Sequence, residues 1–288
     1  QIRYQNIYQL RIGRAILILE RLHNNEIINN MSLESKFVRD QLVQPIFIHE
    51  DEKNETTIPG LGKNKILFES NIIETISDDV KNGCRNFILF FVPKTKSNNQ
   101  FITSFQENIL LKIKKEFGSE IEIWVDLCLC SFTTSGHCCL FEGEKINYAD
   151  SLEIMSDIAL SYVRGGADGI APSSMLNGIV HSVRKKLDLH DFKHIPIMSY
   201  STKFASNFYG PFRAAADSSP SFGDRTSYQL DCTDKENAIE SSVRFSDEGA
   251  DLLMVKPGLL SLDLIQPIIE KTKKPVGAYQ VSGEYSSL

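Results

Sequence analysis

The stretch EGADLLMVKP, residues 248–257, passes from the end of a helical pattern through a Gly-Ala-Asp triplet into an apolar strand pattern. An earlier stretch, GGADGIAP at residues 165–172, repeats the triplet in the same setting. The two triplets are separated by the length of two ordinary β-α units. Repeated β-α units without a break in composition predict one α/β domain built on a parallel sheet.

Short apolar runs along the chain predict the strands of that sheet. They are VQPIFI (43–48), NFILFFV (86–92), EIEIWVD (120–126), DGIAP (168–172), IPIMSYS (195–201), DLLMVKP (251–257) and PVGAYQVSG (275–283). Most are bounded by turn residues and are apolar on both faces, which is typical of parallel strands covered by helices. The repeated units favour a (β/α)8 TIM barrel over a doubly wound sheet, and no Gly-rich phosphate loop follows the first run.

The stretch DSLEIMSDIALSYVRGG predicts the helix that precedes the first triplet. It opens with a pattern similar to a capping box, from Asp150 to Glu153, and it stops at Gly165. Its apolar residues fall on one stripe at helical spacing. We therefore expect this helix to cover one face of the sheet.

The ends of the chain set the predicted domain boundaries. Residues 1–30 form a helical N-terminal arm, and residues 31–288 form the TIM-barrel domain. The sequence given stops shortly after the seventh run, so the eighth strand of a barrel is missing from it. Without that strand, the first and seventh strands would be unpaired edges. We expect a barrel of this length to fold poorly and to be inactive, and an added eighth strand to restore both properties.

The composition excludes several classes of function. The chain has 288 residues, 42% of them hydrophobic, and a net charge of −6. It has no basic stripe for nucleic acid, and no apolar run approaches the roughly 20 residues that span a bilayer. The first residues are too interrupted by charge for a signal peptide. Six cysteines in a chain of this length do not resemble a disulfide framework, so we expect a reducing cytosol.

Polar residues follow several of the predicted strands, where a TIM barrel places its reacting groups. Asp126 ends the third run, Lys203 follows the fifth, Lys256 ends the sixth and Ser282 lies at the end of the seventh. A desolvated ammonium near a second cation has a lowered pKa, which frees its amine as a nucleophile. A single such lysine is more often a solvent-facing strand end. The pair favours Schiff-base chemistry on a ketone or an aldehyde.

The stretch VDLCLCSFTTSGHCC, residues 125–139, holds four of the six cysteines. Cys128, Cys130 and Cys138 match no paired spacing of a structural zinc site. Strand alternation places the first two on one side, and a turn can bring the third back to them. Three thiolates with an open position would suit a catalytic zinc, whereas buried free thiols fit the spacing equally well. His137 is a candidate ligand, or a residue behind the metal or facing the substrate.

A long segment, residues 204–231, separates the two lysines. A segment of this length without a clear helix is usually a functional lid or disordered, and disordered segments lack this many aromatic residues. Its two arginines would suit a substrate carboxylate, which a guanidinium binds bidentately. A surface excursion with aromatic residues at its rim is the alternative. The polar and aromatic residues of the segment are Phe208, Tyr209, Phe212, Arg213, Arg225, Tyr228 and Gln229.

Together these stretches resemble 5-aminolevulinate dehydratase (porphobilinogen synthase), in its zinc-dependent branch. The similar segments are VDLCLCSFTTSGHC, GGADGIAPS, IMSYSTKFASNFYGPFRAAADSSPSFGDRTSYQLD, EGADLLMVKPG and GAYQVSGEY, which extend over nearly the whole chain. The resemblance implies a cytoplasmic, homo-octameric TIM-barrel lyase of haem biosynthesis. Such an enzyme condenses two 5-aminolevulinate molecules to porphobilinogen with loss of two waters.

The resemblance also implies roles for individual residues. Lys256 matches the Schiff-base lysine of the first-bound substrate, and Lys203 matches that of the second. Cys128, Cys130 and Cys138 match the ligands of one zinc ion per active subunit. The arginines of the lid and its glutamine match the contacts to the second substrate's carboxylate, and the serine after the seventh strand matches a contact to the first. The implied substrate-binding residues are Tyr209, Phe212, Arg213, Arg225, Gln229, Ser282 and Asp126.

The chain departs from the family pattern at several positions. Cys139 stands where glycine is usual, and Ser174 and Asn177 occupy positions that are often acidic. Ser241 takes the place of a glutamate found in magnesium-responsive members, although Glu240 is adjacent, which argues against allosteric Mg²⁺. Two alternatives remain: another Schiff-base enzyme of the aldolase class, which needs one lysine and no thiolate triad, and a truncated, inactive barrel of the same family.

Overall fold

The apolar runs form the parallel strands that the sequence predicts. The computed structural model describes residues 26–31, 38–52, 56–58, 61 and 64–287. The strands are β1 (Val43–His49), β2 (Ile66–Leu67), β3 (Asn86–Val92), β4 (Glu122–Leu127), β5 (Phe141–Glu142), β6 (Lys145–Ile146), β7 (Gly169–Pro172), β8 (Met198–Lys203), β9 (Leu252–Lys256) and β10 (Val276–Ala278). All pair in parallel except the small hairpin of β5 and β6.

Helices connect successive strands of the parallel sheet. They are α1 (Glu26–Met31), α2 (Ile72–Lys81), α3 (Ser104–Phe117), α4 (Tyr148–Arg164), α5 (Ile179–Leu189), α6 (Gly210–Ala215), α7 (Lys235–Glu248), α8 (Leu262–Thr272) and α9 (Ser282–Tyr285), with 3-10 turns at Arg39–Gln41, Asn207–Tyr209 and Leu259–Ser261. None of the helices in the described ranges is long and apolar enough to cross a bilayer. Most of the predicted arm, residues 1–25, lies outside the described residues.

Apart from the two-residue β2, which lies on the outer side of β1, the parallel strands follow one another in chain order around a curved wall. Five pair in the order β2-β1-β3-β4-β7, and three pair in the order β10-β9-β8. A parallel bridge from Ile170 in β7 to Ile197, just before β8, joins the two sheets. Parallel strands in sequential order with helical crossovers are the architecture of a TIM barrel. The predicted α/β fold class is therefore confirmed.

Strand alternation divides the core into two layers. In β3, Phe87, Leu89 and Phe91 pack against the helices, whereas Ile88 and Phe90 pack inside the wall. The strand is buried along its whole length, which explains why its sequence is apolar without interruption.

Inside the wall, the ring of Trp124 packs directly on Gly169. A Cβ atom added at Gly169 would come within 2.4 Å of that ring. A side chain at this position would displace the indole.

The aspartates of the two Gly-Ala-Asp triplets hold the starts of neighbouring strands together. The Asp168 carboxylate accepts a hydrogen bond of 2.8 Å from the backbone N–H of Ile123, and the Asp168 N–H donates to the Ile123 carbonyl. Asp251 repeats the arrangement with Ile197, at 2.9 Å and 2.8 Å. The repeated triplet is therefore a device that fixes register between adjacent strands.

The wall is open between β10 and β1. A cleft of about 1230 Å³ lies between these strands, and residues of both line it. The prediction that the first strand would be an unpaired edge is wrong in part, because the two-residue β2 pairs with Phe47 and Ile48. In the described part of the chain β10 pairs only with β9.

Three local predictions differ from the structure. The helix α4 begins at Tyr148, two residues before the predicted capping box, because the Asn147 side chain accepts from the Asp150 N–H and caps it. The seventh predicted strand is only three residues long, since the chain turns into α9 at Ser282. The segment 204–231 contains helix α6 and a 3-10 turn, because the hydroxyl of Ser206 accepts from the Phe208 N–H at its start.

The role of the triplet aspartates can be tested by unfolding. We expect Asp251→Ala to lower the free energy of unfolding by about 3 kcal/mol, because it leaves the buried Ile197 N–H unpaired and removes a charged acceptor. The matched control is Asp263→Ala, whose carboxylate is 64% exposed in a surface ion pair with Lys235 and should cost less than about 1 kcal/mol. Urea unfolding of the two variants measures both values. Equal losses would contradict the proposed register device.

Candidate active site

The two strand-end lysines lie side by side in the barrel mouth. Lys203 and Lys256 are register partners in the pairing of β8 with β9, and both side chains are buried, with exposed fractions of 5% and 2%. Their Nζ atoms lie over the same ring, that of Tyr200, at 5.7 Å and 5.2 Å from its centroid. The structure therefore brings together the pair that the sequence singled out.

Aromatic faces surround the Lys256 amine. Its Nζ atom lies 3.8 Å from the ring centroid of Tyr279, 4.3 Å from that of Phe212 and 5.5 Å from that of Tyr209. Burial lowers the pKa of Lys256 to about 7, and the positive charge of Lys203 acts in the same direction. A lysine with this pKa supplies a substantial fraction of free amine at neutral pH, as a nucleophile for carbonyl groups requires.

Asp126 supplies the negative charge beside both lysines. It is the last inward-facing residue of β4, and burial raises the pKa of its carboxyl to about 6, against the opposing attraction of Lys203 and Lys256. One of its oxygens, Oδ1, is buried without a hydrogen-bond partner. Lys203 Nζ donates a 2.6 Å hydrogen bond to the Ser173 carbonyl. The floor of the site therefore holds two amines and one carboxyl group, and Oδ1 of that carboxyl group is still able to accept a hydrogen bond.

The three predicted thiols meet behind this floor. The Sγ atoms of Cys128, Cys130 and Cys138 all lie within 4.8 Å of one another, and all three residues are buried. The pKa of the Cys138 thiol is lowered well below its ordinary value by hydrogen bonds from Cys128 and Cys130, and the nearby charge of Arg225 adds to the effect. Three convergent sulfurs, one of them readily ionised, fit a thiophilic cation such as zinc.

The neighbouring Cys139 and His137 do not join the sulfur triad. Burial raises the pKa of Cys139 to about 12. The ring of His137 is engaged on both sides, with Nδ1 at 2.9 Å from the Tyr228 hydroxyl and Nε2 at 3.0 Å from the Phe222 carbonyl. Since only an N–H can donate to a carbonyl, Nε2 carries the proton and Nδ1 accepts from Tyr228. Of the three roles considered for His137, these contacts favour a position behind the cysteines over one among them.

The segment 204–231 closes over the cysteine loop. The Ser131 hydroxyl donates to the Ala216 carbonyl at 2.9 Å, and the Ser221 N–H donates to the Ser135 carbonyl at 2.8 Å. Gly136 has φ +68°, and a Cβ atom there would lie 2.3 Å from the Ser219 carbonyl oxygen. The segment thus packs tightly on the loop, as a lid over the mouth rather than a surface excursion.

The lid presents cationic and amide groups that form no ion pair with a carboxylate among the described residues. Arg225 is buried and donates to the carbonyls of Gly136 and Ser218, whereas Arg213 is half-buried. Burial and the positive charge of Arg225 lower the pKa of Arg213. Both amide atoms of the buried Gln229 lack a hydrogen-bond partner. Neither arginine forms an ion pair among the described residues, so this part of the lid is suited to a ligand carboxylate.

Comparisons with known proteins agree with this geometry. The family model described as Delta-aminolevulinic acid dehydratase matches residues 18–288. The chain belongs to this family. A Delta-aminolevulinic acid dehydratase of Halalkalibacterium halodurans is 39% identical over 93% of this chain and 83% of the relative, and one of Helicobacter pylori is 38% identical over 94% and 85%.

A solved member of the dehydratase family has the same fold. It is delta-aminolevulinic acid dehydratase (porphobilinogen synthase) of Toxoplasma gondii in complex with the reaction product porphobilinogen, with a TM-score of 0.81 and 30% identity over 93% of this chain and 78% of that chain. As a member of the dehydratase family, the chain is a hydro-lyase. The TIM-barrel type of fold is confirmed by the same likeness.

Several residues of the site were not singled out in the sequence. Ser173, Tyr200 and Tyr279 all face the lysines. Ser173 and Tyr279 directly follow β7 and β10, so the rule that located the lysines at strand ends would also have located these two. Tyr200 lies within an apolar run, and its position gave no signal of function.

The remaining predicted residues have structural partners. Ser282 accepts from the Phe212 N–H and donates to the Phe208 carbonyl, both at 3.2 Å, so it ties α9 to the lid. Ser241, at the position of the expected magnesium-responsive glutamate, is buried and donates to the Ser201 carbonyl at 2.8 Å. The expectation about allosteric Mg²⁺ stays a prediction.

The lowered pKa of Lys256 predicts the pH dependence of its reactivity. The amine, which is the nucleophile, gains population as the pH rises through about 7, so the rate of adduct formation at Lys256 should increase up to about pH 8 and then level off. Trapping the adduct with borohydride over a range of pH, followed by mass spectrometry, measures this rate. A rate that continues to rise above about pH 9 would indicate an ordinary lysine.

Proposed function

We propose that this chain condenses two molecules of 5-aminolevulinate to porphobilinogen through Schiff bases on Lys256 and Lys203. The paired, buried lysines at one level of the barrel mouth are the observation that carries the proposal. Each amine attacks the ketone carbonyl of one substrate, and each imine forms with release of one water. One carbon–carbon and one carbon–nitrogen bond then join the substrates, and both lysine amines are released, so the balance is two waters lost.

The groups around the lysines support this assignment. The amine of Lys256 has a lowered pKa and an aromatic enclosure, so Lys256 would take the first substrate. Cations are attracted to ring faces, so the iminium ion formed on Lys256 is stabilised where the ammonium now lies. The Asp126 carboxylate faces both lysines and offsets the positive charge of both iminium ions, which would otherwise repel each other.

The lid supplies the carboxylate contacts that two keto acids require. Arg213, Arg225 and Gln229 would bind the carboxylate of the second substrate, and Ser282 would take part in binding the first, with Tyr209 and Phe212 enclosing the site. The support is that neither arginine pairs with a carboxylate among the described residues and that the amide of Gln229 is unpaired. Because buried polar atoms are rarely left unpaired, these atoms indicate a ligand of complementary chemistry.

The cysteines would hold one zinc ion per active subunit. The donor set fits, because Cys128, Cys130 and Cys138 place three sulfurs within 4.8 Å of one another. When bound, zinc supplies a Lewis acid that polarises a carbonyl group. Around it, Arg225 balances the charge of the thiolates, and the lid excludes water from the cysteine loop.

The cellular setting follows from the same features. We propose a reducing compartment, the cytoplasm, because all six cysteines are free and the metal site needs reduced thiols.

We also propose a homo-oligomer, an octamer by the family resemblance. Leu259, Leu260, Leu262 and Tyr285 are exposed by 47% to 62% near the end of the chain, and apolar clusters of this kind favour contact between subunits.

Variants of the lysines test the catalytic assignment. Lys256→Met should abolish both porphobilinogen formation and borohydride trapping, because it removes the first nucleophile. Lys203→Met should abolish porphobilinogen formation but keep the adduct on Lys256. The matched control is Lys186→Met, whose side chain lies in a surface ion pair with Asp157. Undiminished trapping in Lys256→Met would contradict the assignment, and full turnover in Lys203→Met would favour an aldolase-like mechanism with one lysine.

Variants of the cysteines test the metal assignment. Cys130→Ser should lower the zinc content of the purified protein by at least about tenfold, because it removes one of three thiolate ligands. Cys139→Ser, which changes the adjacent buried thiol outside the triad, should keep about one zinc ion per active site. Elemental analysis of the two proteins gives both numbers. Equal zinc contents in the two variants would refute the three-sulfur site.

A further inference from the structure

The pairing of β8 with β9 is irregular immediately before Lys203. Met198 and Ser199 pair with Leu252 and Leu253, but the next pairs are Thr202 with Val255 and Lys203 with Lys256, so β8 has one extra residue at a β-bulge. Strict alternation would place Tyr200 and Lys203 on opposite faces of the strand. Both nevertheless lie inside the barrel, with Lys203 Nζ over the Tyr200 ring. The bulge therefore turns Lys203 into the mouth.

Hydrogen bonds to helix α7 hold two consecutive residues of β8 outward, namely Ser201 in the bulge and Thr202 directly after it. The Ser201 hydroxyl lies 2.9 Å from the Ser242 hydroxyl, and the Thr202 hydroxyl lies 2.8 Å from it. Thr202 also donates to the Ala238 carbonyl at 3.1 Å. All of these residues are fully buried. Two consecutive side chains of one strand thus bind the same helix, which is possible only because the strand is bulged.

The protons of these hydroxyls can be assigned by counting donors. A carbonyl can only accept, so the single proton of Thr202 is used on Ala238. Ser242 must then donate to Thr202, and Ser201 must donate to Ser242. The result is one directed chain, Ser201 to Ser242 to Thr202 to the Ala238 carbonyl. Each hydroxyl both donates and accepts, apart from Ser201 at its start, so the removal of any one leaves a buried partner unpaired.

A further bond fixes the backbone of the same bulge. The Ser241 hydroxyl donates to the Ser201 carbonyl at 2.8 Å, and Arg244 Nη2 donates to the Ser241 oxygen at 3.0 Å. Helix α7 therefore holds both the side chain and the carbonyl of Ser201. Among the described residues, none of the hydrogen bonds from α7 ends on either lysine. These bonds therefore act on Lys203 through the backbone of β8.

We infer that the hydroxyl chain of Ser201, Thr202 and Ser242 is a positioning device that turns Lys203 toward the second substrate by holding the bulge in β8. The inference rests on the proposed role of Lys203 as the second Schiff-base lysine. Lys256 lies on β9, which carries no such bulge in its pairing with β10. Disturbing the hydroxyl chain should therefore impair the step at Lys203 and spare the step at Lys256.

The test compares Thr202→Val with Thr202→Ser. Valine has the shape of threonine without the hydroxyl, whereas serine keeps the hydroxyl. In Thr202→Val, we expect kcat for porphobilinogen formation to fall roughly ten- to a hundred-fold, as misplacement of a reacting group by about 1 Å does. The yield of borohydride-trapped substrate on Lys256 should stay at the wild-type level, and Thr202→Ser should restore kcat.

A second pair of variants guards against a general loss of structure. Ser242→Ala removes the middle of the hydroxyl chain and should have the same effect as Thr202→Val. Ser246→Ala, one turn along the same helix and outside the chain of bonds, should behave as wild type. Mass spectrometry of the peptide that contains Lys256 and a porphobilinogen assay are made on each protein.

The outcomes separate the inference from the function on which it rests. Full turnover in both Thr202→Val and Ser242→Ala would overturn the positioning role. Parallel loss of turnover and of the Lys256 adduct in both would overturn it too, because the hydroxyls would then support only the fold. A wild-type protein that forms neither porphobilinogen nor a Lys256 adduct would refute the proposed function itself.

Discussion

The site depends on the register of the parallel strands. Asp168 and Asp251 each bind the backbone at the start of the neighbouring strand, through the carboxylate and through the N–H. When the start of a strand is fixed to its neighbour, the position of its other end along the barrel axis is fixed as well. Lys203 and Lys256 therefore become direct partners. A slip of one residue would turn inward-facing side chains toward the helices. The chemistry at one end of the barrel is thus set by hydrogen bonds at the other end.

The register also places the two lysines close together, and neighbouring groups offset the unfavourable free energy of burying two like charges. Two ammonium groups are buried near one carboxyl group, and an isolated buried charge is expensive. Proton loss relieves part of the cost, which is why burial lowers the pKa of Lys256 to about 7. The aromatic rings around Nζ and the Asp126 carboxyl offset the rest. The unfavourable burial of charge and the reactivity of the amine therefore have the same physical origin.

The lid and the cysteine loop form one packed unit over these lysines. The Tyr228 hydroxyl accepts from the Cys138 N–H and donates to His137, and His137 donates in turn to the Phe222 carbonyl of the lid. The same segment carries Arg225 and Gln229. Groups that would hold a metal and groups that would hold a carboxylate are consequently positioned by a shared set of contacts, so each depends on the order of the other.

The sequence alone determined the α/β class, the main strands and the position of the lysines at strand ends, because these features follow from periodicity. Spacing singled out the three cysteines but left a zinc site and buried free thiols equally open. Tertiary structure decided the rest. The inward direction of Lys203 depends on a bulge held by α7. The alternation of residues within β8 does not predict contacts with that helix. The closeness of the three sulfurs, the unpaired amide of Gln229 and the engagement of His137 by the lid depend on contacts between segments far apart in the chain. Local patterns specify which face a residue occupies, whereas only the packed chain specifies what it meets there.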